Sequence, residues 1–152
     1  MSVHIIAIGK KHEDWVSPAI SRYEKRLKQP FDVNWVLLPH SSLEGDKARQ
    51  EESDRISARL SAYDYVILLD ERGKLIDSPA LLALIEERIT HSAKIAIIIG
   101  GAYGVTDELR RSVHFVWSLS LLVFPHQLVR LILIEQIYRS QQISVGSAYH
   151  LQ

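Results

Sequence analysis

Five short apolar runs rich in β-branched residues punctuate the chain: Val3 to Ile8, Val33 to Leu38, Tyr65 to Leu69, Ile95 to Ile99 and Val113 to Leu119. Such side chains are stiff at χ1 and fit a pleated surface, so each run reads as a strand. Longer stretches of helical character separate them, at Ser17 to Leu27, Lys47 to Leu60, Ala80 to Ile89, Thr106 to Ser112 and His126 to Ile143. Strand and helix alternate throughout, which implies an α/β fold with a mostly parallel sheet and helices on both faces. The third helix carries a start signal, with Ser78 placed to cap it and Pro79 suited to its first turn. Pro39 to Asp46 reads as a loop. With 152 residues, 47% of them hydrophobic, the chain has material for one ordinary core, so residues 1–152 are expected to form a single domain.

Charge and composition narrow the function classes. Eighteen basic and eighteen acidic residues balance, so the molecule as a whole offers no general attraction to a polyanion. There is no cysteine, which excludes disulfides and thiolate metal sites, and no metal is expected. No basic leader precedes a long apolar stretch and no run reaches membrane-spanning length, so a soluble, cytoplasmic protein with no membrane partner is expected.

In open parallel sheets ligands bind beyond the carboxyl ends of the strands. Ile95 to Ile99 is followed by Gly100-Gly101-Ala102-Tyr103-Gly104, where absent side chains let a ligand approach the backbone. The spacing is neither that of a dinucleotide loop nor that of a triphosphate loop. Asp107 and Glu108 follow, and would repel a phosphate at that helix start, so a cofactor without phosphates fits better. Asp70-Glu71-Arg72-Gly73-Lys74 follows the third strand and could form another wall of the same pocket, or be a solvated turn.

The last helix, containing Leu128-Val129-Arg130-Leu131-Ile132-Leu133-Ile134, is apolar on nearly every side and must be buried nearly all round. In so small a domain, burying its second side calls for another copy of the chain, and a homodimer is expected. Glu135 and Arg139 stand four residues apart on one helical face, where a carboxylate can hold a guanidinium. His126, after Pro125, is as open to a structural role as to a chemical one.

These residues, taken in order, resemble the ribosomal RNA large-subunit methyltransferase H family of the SPOUT superfamily. The similarity rests on Ala7-Ile8-Gly9-Lys10, Ser21 to Leu27, Leu69-Asp70 with Gly73-Lys74, and Ile99-Gly100-Gly101 with Gly104. It continues through Trp117 to Ser120, Phe124 to Arg130, Glu135 to Arg139 and Tyr149-His150, and spans the chain. The resemblance implies a SPOUT-type α/β trefoil knot and a homodimer. It further implies transfer of a methyl group from S-adenosyl-L-methionine to N3 of a pseudouridine in 23S rRNA of the assembled ribosome. It places the cofactor against Leu69, Gly100, Leu119, Ser120, Leu121, Leu122, Val123 and Phe124. Two features depart from the family pattern: Ala102-Tyr103 in the glycine loop, and the ending Leu151-Gln152.

A uracil imide is protonated at neutral pH, so methylating it needs a base and a group that meets the developing anion. His150 is the candidate base, Tyr149 the stacking or hydrogen-bonding group, and Arg139, oriented by Glu135, the anion stabiliser. A terminal histidine is otherwise simply a frayed end. Arg22, Lys25 and Arg26 share one face of the first helix and, with His126, are the expected RNA contacts. A catalytically silent ribosome-binding protein of the same fold and a flavodoxin-like cofactor-binding protein are the competing readings.

Overall fold

The computed structural model describes residues 2–151. The strands are β1 (Val3–Ile8), β2 (Val33–Leu38), β3 (Tyr65–Leu75), β4 (Ile95–Ile99) and β5 (Phe115–Ser118). The helices are α1 (Ser17–Glu24), α2 (Gly45–Ser57), α3 (Ser78–Thr90), α4 (Asp107–Ser112) and α5 (His126–Ser144), and a 3-10 turn, Ala148–Leu151, closes the described chain. The five strands form one sheet in the order β2-β1-β4-β3-β5, every neighbouring pair parallel.

Period-two alternation sorts the strand side chains between two cores. Ile5, Ile67 and Ile97 join Leu81 and Ile85 of α3 and Leu133 and Ile137 of α5 on one face. Ile6, Ile8, Leu68 and Ile98 join Ile56 of α2 and Leu109 of α4 on the other. The middle strand β4 is therefore apolar and buried at every position, and the carboxyl ends of the parallel strands lie side by side at one edge of the sheet.

Several local expectations are corrected. The α3 cap is Asp77, whose carboxylate accepts from Ala80 N at 2.9 Å, while Ser78 Oγ donates to Gln136 Oε1 and ties α3 to α5. β3 does not end at Leu69. It continues to Leu75 with an irregular register against β5, because Gly73 lets the strand lie against Val116, whose carbonyl would stand 2.6 Å from any added Cβ. α1 ends at Glu24, with Lys25 as its C-cap still helical in φ and ψ, and the bonds Lys25 N to Ser21 O and Leu27 N to Tyr23 O carry the turn on past Arg26. The chain end is not frayed up to Leu151, since the closing turn packs Tyr149 edge-on to Tyr138 at 4.9 Å.

Helix α5 also buries much of its apolar surface without a second chain. Leu133, Ile134 and Ile137 are fully buried within one protomer, against the sheet and α3 for Leu133 and Ile137, and against Val16 and Ile20 for Ile134. What a single chain leaves outside its cores is narrower. Leu128 and Ile132, one turn apart, are only half-buried and belong to none of the three apolar clusters, and Leu121, Leu122 and Val123 just before the helix are exposed.

Candidate cofactor cleft and catalytic cluster

The loops leaving β3, β4 and β5 converge on a cleft of about 1060 Å³ at the carboxyl edge of the sheet. Leu69, Gly100, Leu119, Ser120, Leu122, Val123 and Phe124 line it, together with Asp70 to Arg72 of the extended β3 and His126 and Val129 of α5. Of the residues expected to hold a cofactor, only Leu121 stands apart, pointing outward with 82% of its surface exposed.

The glycine loop is held from behind by α2, a device the sequence did not advertise. Arg49 Nε donates to the carbonyl of Tyr103 at 2.8 Å, and Ser53 Oγ accepts from Thr106 N at 3.0 Å. Glu52, almost wholly buried, sets its carboxylate directly under Gly101, where an added Cβ would lie 2.5 Å from Oε1. Positions 49, 52 and 53 recur on one helical face, so a single face of α2 fixes the loop at three points. Gly104 completes the bend with φ of +74°, a region glycine enters without strain.

The electrostatics of the cleft do not favour a phosphate-rich ligand. No lysine lines it, and its two arginines are already neutralised, Arg49 by Asp46 and Arg72 by Asp70 at 2.8 Å. The Arg72 hydrogen bond holds the Asp70 carboxyl below its ordinary range despite partial burial, so that pair stays ionised. Among the described residues no cluster of His, Asp or Glu is placed to hold a metal ion.

The four residues expected to carry the chemistry come together, but elsewhere. Glu135 accepts from Arg139 Nε and Nη2, the latter at 3.0 Å, and from the Tyr149 hydroxyl at 3.2 Å. The Arg139 guanidinium lies over the Tyr149 ring at 4.8 Å and reaches His150 Nδ1 at 3.3 Å. A guanidinium can only donate, so Nδ1 accepts and the ring proton sits on Nε2. Burial, together with bonds to Tyr23 and the charge of Glu135, pushes the Tyr149 phenol well up, which keeps it a neutral donor. None of the four lines the cleft of its own chain. Arg139 lies ten to thirteen residues along α5 from Val129 and His126, about 15–20 Å at helical rise.

His126 faces the cleft rather than a basic surface. Its ring stands edge-on to His40 at 6.3 Å, and burial, with Arg130 and His40 nearby, lowers its pKa. Arg22, Lys25 and Arg26 are exposed and none forms an ion pair among the described residues. Arg130 and Gln127 are the functional surprises. Both are buried polar residues on α5 that reach back to the segment after β1, and a lone cation in an otherwise apolar helical run was the signal that could have found the first.

A sequence profile described as predicted SPOUT methyltransferase matches residues 1–150. The chain belongs to that family. This SPOUT methyltransferase is 37% identical to the ribosomal RNA large subunit methyltransferase H of Clostridium novyi (strain NT), over 99% of both chains. It is 35% identical to the protein of the same name from Pelobacter propionicus, again over 99% of each. A probable methyltransferase from Bordetella pertussis Tohama I shares the fold, with a TM-score of 0.60 at 13% identity over 91% of this chain and 95% of that one. Family membership makes the chain a methyltransferase and sets aside the flavodoxin-like reading.

Proposed function

We propose that this single-domain chain, residues 1–152, methylates N3 of a pseudouridine in 23S rRNA of the assembled ribosome, working in the cytoplasm as a homodimer threaded as a trefoil knot. The observation that carries the reading is the cleft beyond β3, β4 and β5. It is walled by backbone, by apolar side chains and by the carboxylates of Asp46, Asp70, Glu71 and Asp107, and both arginines in it are already paired. Such a lining suits S-adenosyl-L-methionine, which has no phosphate. When bound, that molecule supplies a methyl group on a sulfonium, an electrophile that needs no activation by the protein. Leu69, Gly100, Leu119 and Ser120 to Phe124 would hold it, with Leu121 the weakest of the set because it points away.

The protein's own task is to deprotonate N3 and hold the resulting charge. His150 takes that proton at Nδ1, which is free only after Arg139 lets go. Arg139 then has its donors available for the ring carbonyl where negative charge develops, and Glu135 keeps the guanidinium aligned through Nε and Nη2. Tyr149, a neutral donor, stacks against or bonds the base.

The separation of about 15–20 Å along α5 supports the dimer: the cleft of one chain is completed by Arg139, Tyr149 and His150 of another. Leu128, Ile132 and the exposed Leu121 to Val123 are the apolar surface such a pairing covers. Arg22, Lys25, Arg26 and His126 are the proposed RNA contacts.

Calorimetric titration with S-adenosyl-L-methionine and with FMN, followed by methyl transfer to ribosomes from cells lacking the protein, tests the reading. Binding of the first ligand alone and appearance of N3-methylpseudouridine by mass spectrometry are expected. Absence of cofactor binding overturns it, and binding without transfer leaves the catalytically silent alternative.

A further inference from the structure

The segment between β1 and α1 is fastened with more polar bonds than a surface loop needs. Arg130, fully buried, donates through Nη2 to the carbonyls of Ile8 at 2.9 Å and Gly9 at 3.1 Å. Through Nη1 it donates to the Lys11 carbonyl at 3.0 Å and to His12 Nδ1 at 3.2 Å. Gln127, also buried, accepts from Glu13 N at 2.9 Å and donates to the Lys11 carbonyl. Burying a guanidinium with no acid in contact is costly, and the return here is one fixed loop conformation. Gly9, at φ of +119°, is compatible with it only as glycine, since a Cβ would stand 2.9 Å from Arg130 Nη2.

The side chains this loop presents outward are Lys10, Lys11, Glu13, Asp14 and Trp15. Trp15 is 60% exposed although it is the largest apolar side chain available, and its indole Nε1 donates to Glu13 Oε1 at 3.0 Å, which fixes the ring's orientation. Lys10 and Lys11 are exposed and form no ion pair among the described residues. The anchors, Gln127 and Arg130, sit on the same turn of α5 as His126 and Val129, which line the cleft.

We propose that residues 10–15 form an RNA-docking loop, in which Trp15 stacks on an unpaired nucleobase of the substrate and Lys10 and Lys11 meet the flanking phosphates. The proposal rests on the rRNA reading above. Glu13 and Asp14 cancel the two lysines locally, so recognition falls on stacking, which tolerates any base and depends little on net charge. That matches a chain with equal numbers of acidic and basic residues, whose affinity for free RNA gains little from counterion release.

Co-sedimentation with ribosomes and the KM for ribosomes test this in the full dimer. Trp15→Ala should weaken ribosome affinity and raise KM by about ten- to a hundred-fold, with the loss falling on KM rather than kcat. Trp15→Phe, which keeps an aromatic face, should recover most of it. Cofactor affinity, melting temperature and sedimentation as a dimer should be unchanged, because the side chain is exposed and remote from both cores. Wild-type affinity in Trp15→Ala overturns the proposal while leaving the methyltransferase reading intact. Dissociation of the Trp15→Ala dimer overturns it in favour of a second copy covering the indole. A wild-type protein that binds no ribosomes removes both.

Discussion

Gly101 shows how one missing side chain couples the cofactor loop to the core. Replacing it with alanine forces the new Cβ against Glu52 Oε1, and Glu52 cannot swing aside because it is buried and its other oxygen accepts from Ser41 N. Gly101→Ala should cost about 1–3 kcal/mol and weaken S-adenosyl-L-methionine binding. Adding Glu52→Ala should return part of both losses, and strict additivity in thermal melts and calorimetry would show that the two positions do not meet. The glycine was legible in sequence as a place where backbone must be bare. Glu52 was not, because nothing in a charged helix such as α2 tells which of its carboxylates turns inward. A second residue-scale consequence concerns acid. His12 is held below its ordinary 6.5, first by burial and then by Arg130, whose donor needs Nδ1 unprotonated, and His126 is lowered for similar reasons. The unfolded chain therefore binds these protons near pH 6.5 while the folded one resists. Stability is fully present above that pH and lost progressively as pH falls toward the depressed folded values. Melting temperature should drop between pH 7 and 5, and His12→Gln, which retains an acceptor for Arg130, should flatten the slope. An unchanged slope in His12→Gln would mean the ring is already free to ionise in the folded state.

The elements were the most legible level, because period and β-branching are local properties. All five strands and five helices stand near their expected places, and the departures have identifiable local causes. Asp77 outcompetes Ser78 for the α3 cap because its carboxylate sits one residue earlier, facing Ala80 N. β3 overruns its apolar stretch because Gly73 permits contact with β5, a pairing that no single strand announces. Helix α5 was misjudged for a related reason, since apolar residues all round say only that it is covered, not by what. The structure divides its faces. Leu133 belongs to the core of one protomer, so Leu133→Asp should unfold the chain outright by placing an unpaired charge among packed aliphatic groups. Leu128 and Ile132 lie outside the three clusters, so Leu128→Glu with Ile132→Glu should leave a folded monomer with near-native circular dichroism. Sedimentation should show the monomer, and methyl transfer to ribosomes should vanish with it. A folded double variant that still sediments as a dimer would place the interface on another face.

At the scale of the whole molecule, the governing fact is that the cleft takes in only the first turn of α5, whereas the Glu135–Arg139–Tyr149–His150 cluster sits on its later turns and the closing 3-10 turn of the same chain. The sequence contained both sets of residues, but it held no measure of the distance between them, since the helix that separates them also looks like the element that joins them. If each active site takes its cleft from one protomer and its tail from the other, two different defects should complement. A Gly100→Val chain has a damaged cleft, because its Cβ would stand 3.1 Å from Val105 Cγ1 and its branch would intrude on the proposed cofactor position, yet it keeps an intact tail. A chain lacking Tyr149 through Gln152 keeps its cleft but has neither the proposed base nor the proposed stacking group. Each homodimer should bind or react poorly. In a mixed dimer one site collects both defects and the other collects none. Random re-association of equal amounts makes about half the dimers mixed, each with one sound site, so activity should recover to about a quarter of wild type. The measurement is methyl transfer to ribosomes after the two variants are dissociated and re-associated together, with each variant treated alone as the control. No recovery, in a mixture shown to contain heterodimers, would mean that the tail folds back to serve its own cleft and that α5 must rearrange for catalysis.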